Sequence, residues 1–282
     1  MGIIRMLKRN LPLLIPVVLS LAVFLPLVFL AGGSLMGKQE ILYYMAGEER
    51  AYSTWRLLPR FPTLRSYVEL LLDSPGFFVM FWNSVKLAAG TLAGQLLVSA
   101  PAAWWFARTN RRWGSGLFTL YVVLMLMPFQ VTMVSNYLVL DTANLLNTHW
   151  AILLPGIFST FPVFIIYRFF KDIPQAIIEA AEIDGANGLQ IFLRVGFPMG
   201  SAGVASAMVL GFLEAWNLIE QPMIFLKDKS LWPLSLFLPQ ISADGMGLAM
   251  AASVVTLLPS LLVFFCGQSY LEQGITASSV KE

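Results

Sequence analysis

Six stretches of this chain contain no Asp, Glu, Lys or Arg, and each is about as long as a membrane-crossing helix. They are Leu11–Ala31, Leu87–Ala107, Trp113–Leu140, Thr142–Tyr167, Val195–Leu213 and Gly245–Leu271. A helix rising ~1.5 Å per residue needs about 20 apolar residues to cross a ~30 Å hydrocarbon core. A charge at its centre costs roughly 2.5–3.5 kcal/mol, so charges retreat to the segments between spans. Only 12% of the 282 residues are charged, against about 25% in a soluble domain. Barrel strands would be about ten residues long with alternating polarity, and these stretches do not alternate. The expected fold class is all-α, a polytopic membrane protein with about six transmembrane helices.

Arg5, Lys8 and Arg9 precede the first stretch, as they would in a secretory signal. Its 21 residues exceed the ~7–15 of a signal's apolar region, so an uncleaved span is expected. Lys and Arg fix the orientation. With the N-terminus inside, the inner segments hold those three, Arg108, Arg111 and Arg112, then Arg168, Lys171 and Arg194, and finally Lys281. The short outer loop from Asp141 to His149 holds none, whereas the 220–246 loop holds Lys227 and Lys229. Residues 32–82 carry five basic residues, but long loops weigh little in this rule. Both termini are therefore expected in the cytoplasm. The expected division is a cytoplasmic tail (1–10), a first span (11–31), an extracytoplasmic segment (32–82), a transmembrane domain (83–271) and a cytoplasmic tail (272–282). A net charge of +2 gives no reason to invoke nucleic acid, and one cysteine, Cys266, cannot form an intramolecular disulfide.

Turn signals follow the first span at Gly32-Gly33, Pro59, Phe61-Pro62 and Ser74-Pro75-Gly76. The apolar run Phe77–Val85 is too short to span, so it is expected at the interface before the second helix, with Lys86 snorkelling outward. Pro101 is expected to kink that helix. Gly90…Gly94 and Gly196…Gly200 are small-residue pairs one turn apart that permit close helix packing.

The polar inner segment 168–195 holds the densest signal in the chain. Pro174 suits a first helical position, with Asp172 a nearby cap. Gln175, Glu179 and Glu182 share one helical face, and Ile177, Ala181 and Asp184 a neighbouring one. Gly185 can take the left-handed conformation that ends a helix. A second short helix, Leu189 to Arg194, then leads to Pro198. The local chemistry predicts a helix–turn–helix elbow whose alanines permit close approach of a partner protein; an ordinary amphipathic loop has the same pattern.

Glu179-Ala180-Ala181, Gly185 and Val195-Gly196-Phe197-Pro198 fall at the spacing of the EAA loop of binding-protein-dependent ABC importers, which this chain resembles. Val195 and Phe197 stand where that pattern has Ile and Leu. Ile183-Asp184-Gly185-Ala186 is similar to the carbohydrate branch. Asn83-Ser84, Trp216-Asn217 and the tail Gly274-Ile275-Thr276-Ala277…Val280-Lys281 resemble maltose-type (MalG-like) permeases, whose likeness runs from about Phe61 onward. The resemblance implies a type I ABC importer transmembrane fold in a bacterial or archaeal plasma membrane. It implies that residues 173–188 form a coupling helix seated in a cytoplasmic ABC ATPase dimer, with Glu179, Ala180, Ala181, Asp184 and Gly185 at the contact. It also implies a homologous second permease subunit, an extracytoplasmic solute-binding protein met by the 220–246 loop, and a sugar as cargo. ATP and Mg²⁺ would be bound by the ATPase, not by this chain. The tail ends Ser278-Ser279-Val280-Lys281-Glu282, a departure that puts any tail contact with the ATPase in doubt.

Polar residues within spans are candidates for a solute path. Gln130, Thr132, Ser135 and Asn136 cluster on the third span, and Glu214, Trp216, Asn217, Glu220 and Gln221 lie at or after the end of the fifth. Hydrogen bonding between helices and an interfacial aromatic belt account for the same residues. The phosphate-loop spacing of Gly32…Gly37-Lys38 is rejected, because Gln39 replaces the Ser or Thr that holds Mg²⁺ and a membrane helix precedes it. The sole histidine, His149, makes no metal site, and no nucleophile–base cluster is readable. The remaining readings are an importer of another solute, such as glycerol-3-phosphate, and a channel or secondary transporter with no ATPase. An anion path should carry deep Arg or Lys, and none of the six stretches has one.

Overall fold

The computed structural model describes residues 2–45, 57–109, 111–237 and 245–279. The tail signature at Val280-Lys281 and the loop segments 46–56 and 238–244 lie outside the described residues. Every regular element among the described residues is helical. The chain divides into two compact units, Met1–Phe78 with Phe237–Leu258, and Val79–Leu236 with Pro259–Glu282.

In the first unit, α1 (Gly2–Ser34) exposes Ile15, Leu21, Val23 and Phe24. A helix apolar on every side is a bilayer element. It continues through Gly32 and Gly33, which the sequence places in a turn. Both glycines serve close packing. A side chain at Gly32 would overlap the Leu57 carbonyl, and one at Gly33 the Met250 thioether. The chain turns only at Leu35–Met36, whose N–H groups bond the Gly32 and Gly33 carbonyls. Next come α2 (Lys38–Met45) and α3 (Arg65–Leu72). Met36, Ile41, Leu70 and Phe77 are among the buried apolar residues of this unit, with Met250, Ala251 and Ala252, and the Ser34 and Tyr67 hydroxyls share a 2.7 Å hydrogen bond.

The second span is longer than its charge-free stretch. Pro75 opens α4 (Pro75–Arg108), and the run Phe77–Val85, expected at the interface, forms its first turns. One lysine closes the charge-free stretch, but a lysine on a helix side carries its ammonium outward without breaking the ladder. Pro101 lies inside this helix, which continues unbroken to Arg108.

The third stretch is two helices, α5 (Arg112–Met125) and α6 (Phe129–Thr142), bent by 102°. Pro128 lacks an N–H and disfavours helix at Met127, so the ladder stops there. Then follow α7 (Trp150–Ile157), α8 (Thr160–Lys171), α9 (Gln175–Ile183) and α10 (Gly188–Ile191). A π-turn (Phe192–Gly196) joins α10 to α11 (Phe197–Met199), and the chain bends by 72° at Gly200 into α12 (Ser201–Trp216). The last helices are α13 (Glu220–Phe225) and α14 (Met246–Ser279). Four helical stretches are long and apolar enough to cross a membrane, or six if each bent pair is one span. That agrees with the six charge-free stretches.

Small residues set the packing of the second unit. The α4 pair Gly90 and Gly94 receives Leu153 and Ile157 of α7, and Gly200 and Gly203 receive Phe170 and Phe169 of α8. The connection 226–236 is tied down by polar groups. Asn83 Nδ2 donates to the carbonyls of Ser230 (2.7 Å) and Trp232 (3.1 Å), and Ser84 Oγ accepts from Leu234 N–H at 2.8 Å. Asn147, held at φ 58°, accepts the N–H groups of Lys227 and Asp228 at 2.9 and 2.8 Å. The Ser230 backbone N–H and hydroxyl hold the Asp228 carboxyl below the usual carboxylate range. An Asn83→Leu variant leaves two partly buried carbonyls unpaired and is expected to lose about 1–3 kcal/mol of local stability. Hydrogen exchange should accelerate across 226–236 and remain slow in α8 and α12.

Candidate functional site

Two places bring polar chemistry together: the elbow between α8 and α12, and a cavity inside the second unit.

The elbow is built by local capping. Asp172 closes α8, its N–H bonding the Phe170 carbonyl, so it is not the cap of the next helix. That position belongs to Pro174, at ψ 135° and without a side-chain bond, so α9 starts one residue later than expected. α9 ends as predicted at Gly185, whose φ of +81° favours glycine because an added Cβ would crowd the backbone. The Ala186 N–H bonds the Ala181 carbonyl, and the Gly185 N–H bonds the Glu182 carbonyl, both at 3.0 Å. This is the paired-bond helix end that a left-handed residue makes possible. Asn187 and Gln190 then exchange side-chain-to-backbone bonds, each 2.9 Å, and start α10. Such reciprocal caps satisfy two N–H groups that a helix start leaves bare.

One side of the elbow is locked into a buried cluster. Ile173, Ile178 and Ile191 pack with Ala103, Val163, Ile166 and Phe170, and Ala181 and Ala186 lie against them. Gly196 faces the Trp104 ring closely, and Trp104 meets Phe170 edge-on at 5.3 Å. The opposite side is bare. Glu179, Ala180, Asp184 and Gly185 are exposed, as are Ile177, Leu189 and Leu193, and Ile183 is 86% exposed. Of the five residues expected at a partner contact, only Ala181 faces partly into this chain's own core.

Arg108 joins the elbow to α4. Its Nη2 donates to the carbonyls of Phe170 (2.7 Å) and Ile173 (3.2 Å), and Nη1 reaches Gln175 Oε1 at 3.4 Å. The guanidinium also lies 4.8 Å from the Trp104 ring centre. A cation on the last carbonyls of α8 satisfies groups that a helix end leaves bare and complements its dipole. In the sequence Arg108 reads only as a topology charge.

The cavity, about 510 Å³, is lined by parts of α4, α5, α6, α7, α8, α12 and α13. Gln95, 3% exposed, donates through Nε2 to the Gly156 carbonyl at 2.9 Å. Its Oε1 has no partner among the described residues, and neither does Oε1 of Gln221. Asn136, Thr132 and Glu214 also line the space. Of the expected path residues, Thr132, Asn136, Glu214 and Gln221 reach the cavity. Gln130 instead donates to both carboxylate oxygens of Glu220, at 2.9 and 3.0 Å, and Ser135 is exposed on α6 outside the lining. Trp216, 2% exposed, stacks on Phe212 and meets Phe81 edge-on. Asn217 returns its Nδ2 to the Leu213 carbonyl at 2.8 Å, finishing α12. Gln95 was missed because a single amide in an apolar stretch gives no sign of the face it occupies.

Residues 99–277 match the family described as "Binding-protein-dependent transport system inner membrane component". The chain is 32% identical over 203 residues to the lactose transport system permease protein LacG of Rhizobium radiobacter, covering 71% of this chain and 74% of that one. Its fold is similar to that of a bacterial ABC transporter involved in the import of the acidic polysaccharide alginate, with TM-score 0.81, 19% identity, and 94% and 96% of the two chains covered. A second alginate transporter structure, solved in complex with an alginate pentasaccharide-bound periplasmic protein, matches with TM-score 0.65 and 15% identity over 93% and 94%. The chain belongs to the family of binding-protein-dependent transport system inner membrane components.

Proposed function

We propose that this chain is a transmembrane subunit of an ATP-driven importer of a sugar or oligosaccharide, and that the α9–α10 elbow couples it to a cytoplasmic ATPase. The observation that carries the coupling is the two-sided elbow. Its back is fixed to α4 and α8 by the isoleucine cluster and Arg108, while Ile177, Ile183 and Leu189 stand exposed on a polar segment. Exposed apolar groups outside the spans mark a partner site. The sugar assignment is supported by LacG and by the alginate transporter fold.

In this reading both termini and the elbow face the cytoplasm. A second permease subunit completes the pathway, and an ATPase dimer binds ATP and Mg²⁺. A solute-binding protein docks outside, against the 226–236 connection held by Asn83, Ser84 and Asn147. ATP favours the closed ATPase dimer, and that differential affinity shifts the transporter between outward- and inward-facing states. The elbow transmits the shift because its helix ends are fixed by hydrogen bonds and its back cannot slide over the core.

Ile183→Asp alters an exposed side chain, so membrane insertion should be normal while the ATPase no longer co-purifies with the solubilised permease. Retention of the ATPase at wild-type stoichiometry would refute docking at this tip. Gly185→Val forces a β-branched residue to positive φ, at roughly 1–2 kcal/mol. Uptake of the cargo should fall sharply while the amount of inserted permease, read by immunoblot, stays constant. Arg108→Gln releases the carbonyls of Phe170 and Ile173. It should weaken the dependence of ATP hydrolysis on loaded binding protein, measured in proteoliposomes.

A further inference from the structure

We propose that the cavity lined by α4–α8, α12 and α13 is a sugar subsite carried by this chain, built for neutral sugars and against acidic ones. This rests on the reading of the chain as a sugar-importer subunit and specifies the class of sugar.

The cavity volume of about 510 Å³ lies within the ~300–1,000 Å³ of small-molecule sites. Its polar groups include two buried amide oxygens and a carboxylate that accept hydrogen bonds, beside hydroxyls that both donate and accept. Gln95 Nε2 is engaged by the Gly156 carbonyl, which orients the amide and leaves Oε1 as the free acceptor. Gly211 packs against that oxygen, and a Cβ there would come within 2.8 Å of it. Gln221 contributes a second buried acceptor without a partner among the described residues, and Glu214 adds a carboxylate from α12. Sugar hydroxyls are the donors such a set requires. A buried amide oxygen left without a donor costs roughly 1–3 kcal/mol, and a hydroxyl seated there recovers it. Phe129 and Phe161 supply aromatic surface in the same lining.

Charge sets the class. Among the described residues no Lys, Arg or His lines the cavity, while Glu214 does. A uronate, sulfonate or phosphate brought here would meet a like charge, with no cation in the lining to offset its desolvation. Neutral hexose or pentose units carry no such penalty. The cargo class is therefore separated from that of the alginate transporter, whose fold this chain shares.

The test uses the whole transporter, with its second permease, ATPase and binding protein, in proteoliposomes. Uptake of radiolabelled neutral and acidic oligosaccharides is expressed per assembled complex. The wild type should import neutral sugars and discriminate against uronate oligosaccharides. Gln95→Leu and Glu214→Leu should each lower neutral uptake about five- to tenfold, as expected for one lost hydrogen bond to a committed acceptor. Glu214→Lys, at an exposed position that does not threaten the fold, should narrow the gap between the two classes. Neutral uptake within twofold of wild type in all three variants would overturn the subsite and leave the sugar-importer reading standing. Equal import of acidic sugars by the wild type would overturn the selectivity. Import of a non-sugar solute alone would overturn both readings together.

Discussion

Arg108 is the point on which the rest of the second unit depends. At the end of α4, its guanidinium bonds the carbonyls of Phe170 and Ile173 and reaches Gln175. It therefore binds one helix to the end of a second and the start of a third. A chain leaving a membrane span must satisfy its last carbonyls, because no further turn supplies N–H groups. Here a side chain 62 residues away supplies them. The isoleucines of the elbow then close against α4 and α8, and the exposed tip is left with a defined position relative to both spans.

The elbow illustrates how local chemistry and tertiary packing divide the work. Gly185 and the Asn187–Gln190 box form the turn by backbone and side-chain bonds within a few residues. The burial of Ile178 and Ile191 decides which face remains outside. In the proposed coupling, that division matters. A surface that transmits force must be fixed on one side and unoccupied on the other. The cavity follows a related logic, since Gln95 is held through its nitrogen so that its oxygen keeps one orientation.

The spans were legible because charge is excluded from hydrocarbon, and that rule acts residue by residue. Gly185 was legible because few residues tolerate its backbone conformation. Other features needed the fold. The break at Pro128 lies inside a charge-free stretch, so the criterion that finds spans conceals it. The run Phe77–Val85 was cut off by Lys86, although a helix absorbs one snorkelling lysine. Trp216 and Asn217 have side chains suited to a sugar path, yet one is packed between aromatic rings and the other finishes a helix. Residue type does not disclose which side of a helix faces a cavity. For the same reason Gln95 could not be found, and the partners of Arg108 are too distant in sequence to be read locally.

The central claim is that the bare face of the elbow is seated in an ATPase subunit. The chain has one natural cysteine, Cys266, so Cys266→Ser gives a clean background for a single cysteine at position 183. Labelling that position with a photoactivatable maleimide in the assembled transporter tests the claim directly. The account predicts that illumination yields a cross-linked band containing the ATPase subunit and that the yield changes on adding ATP. A label that couples only to lipid or to the second permease subunit, with the ATPase present and active, would contradict it.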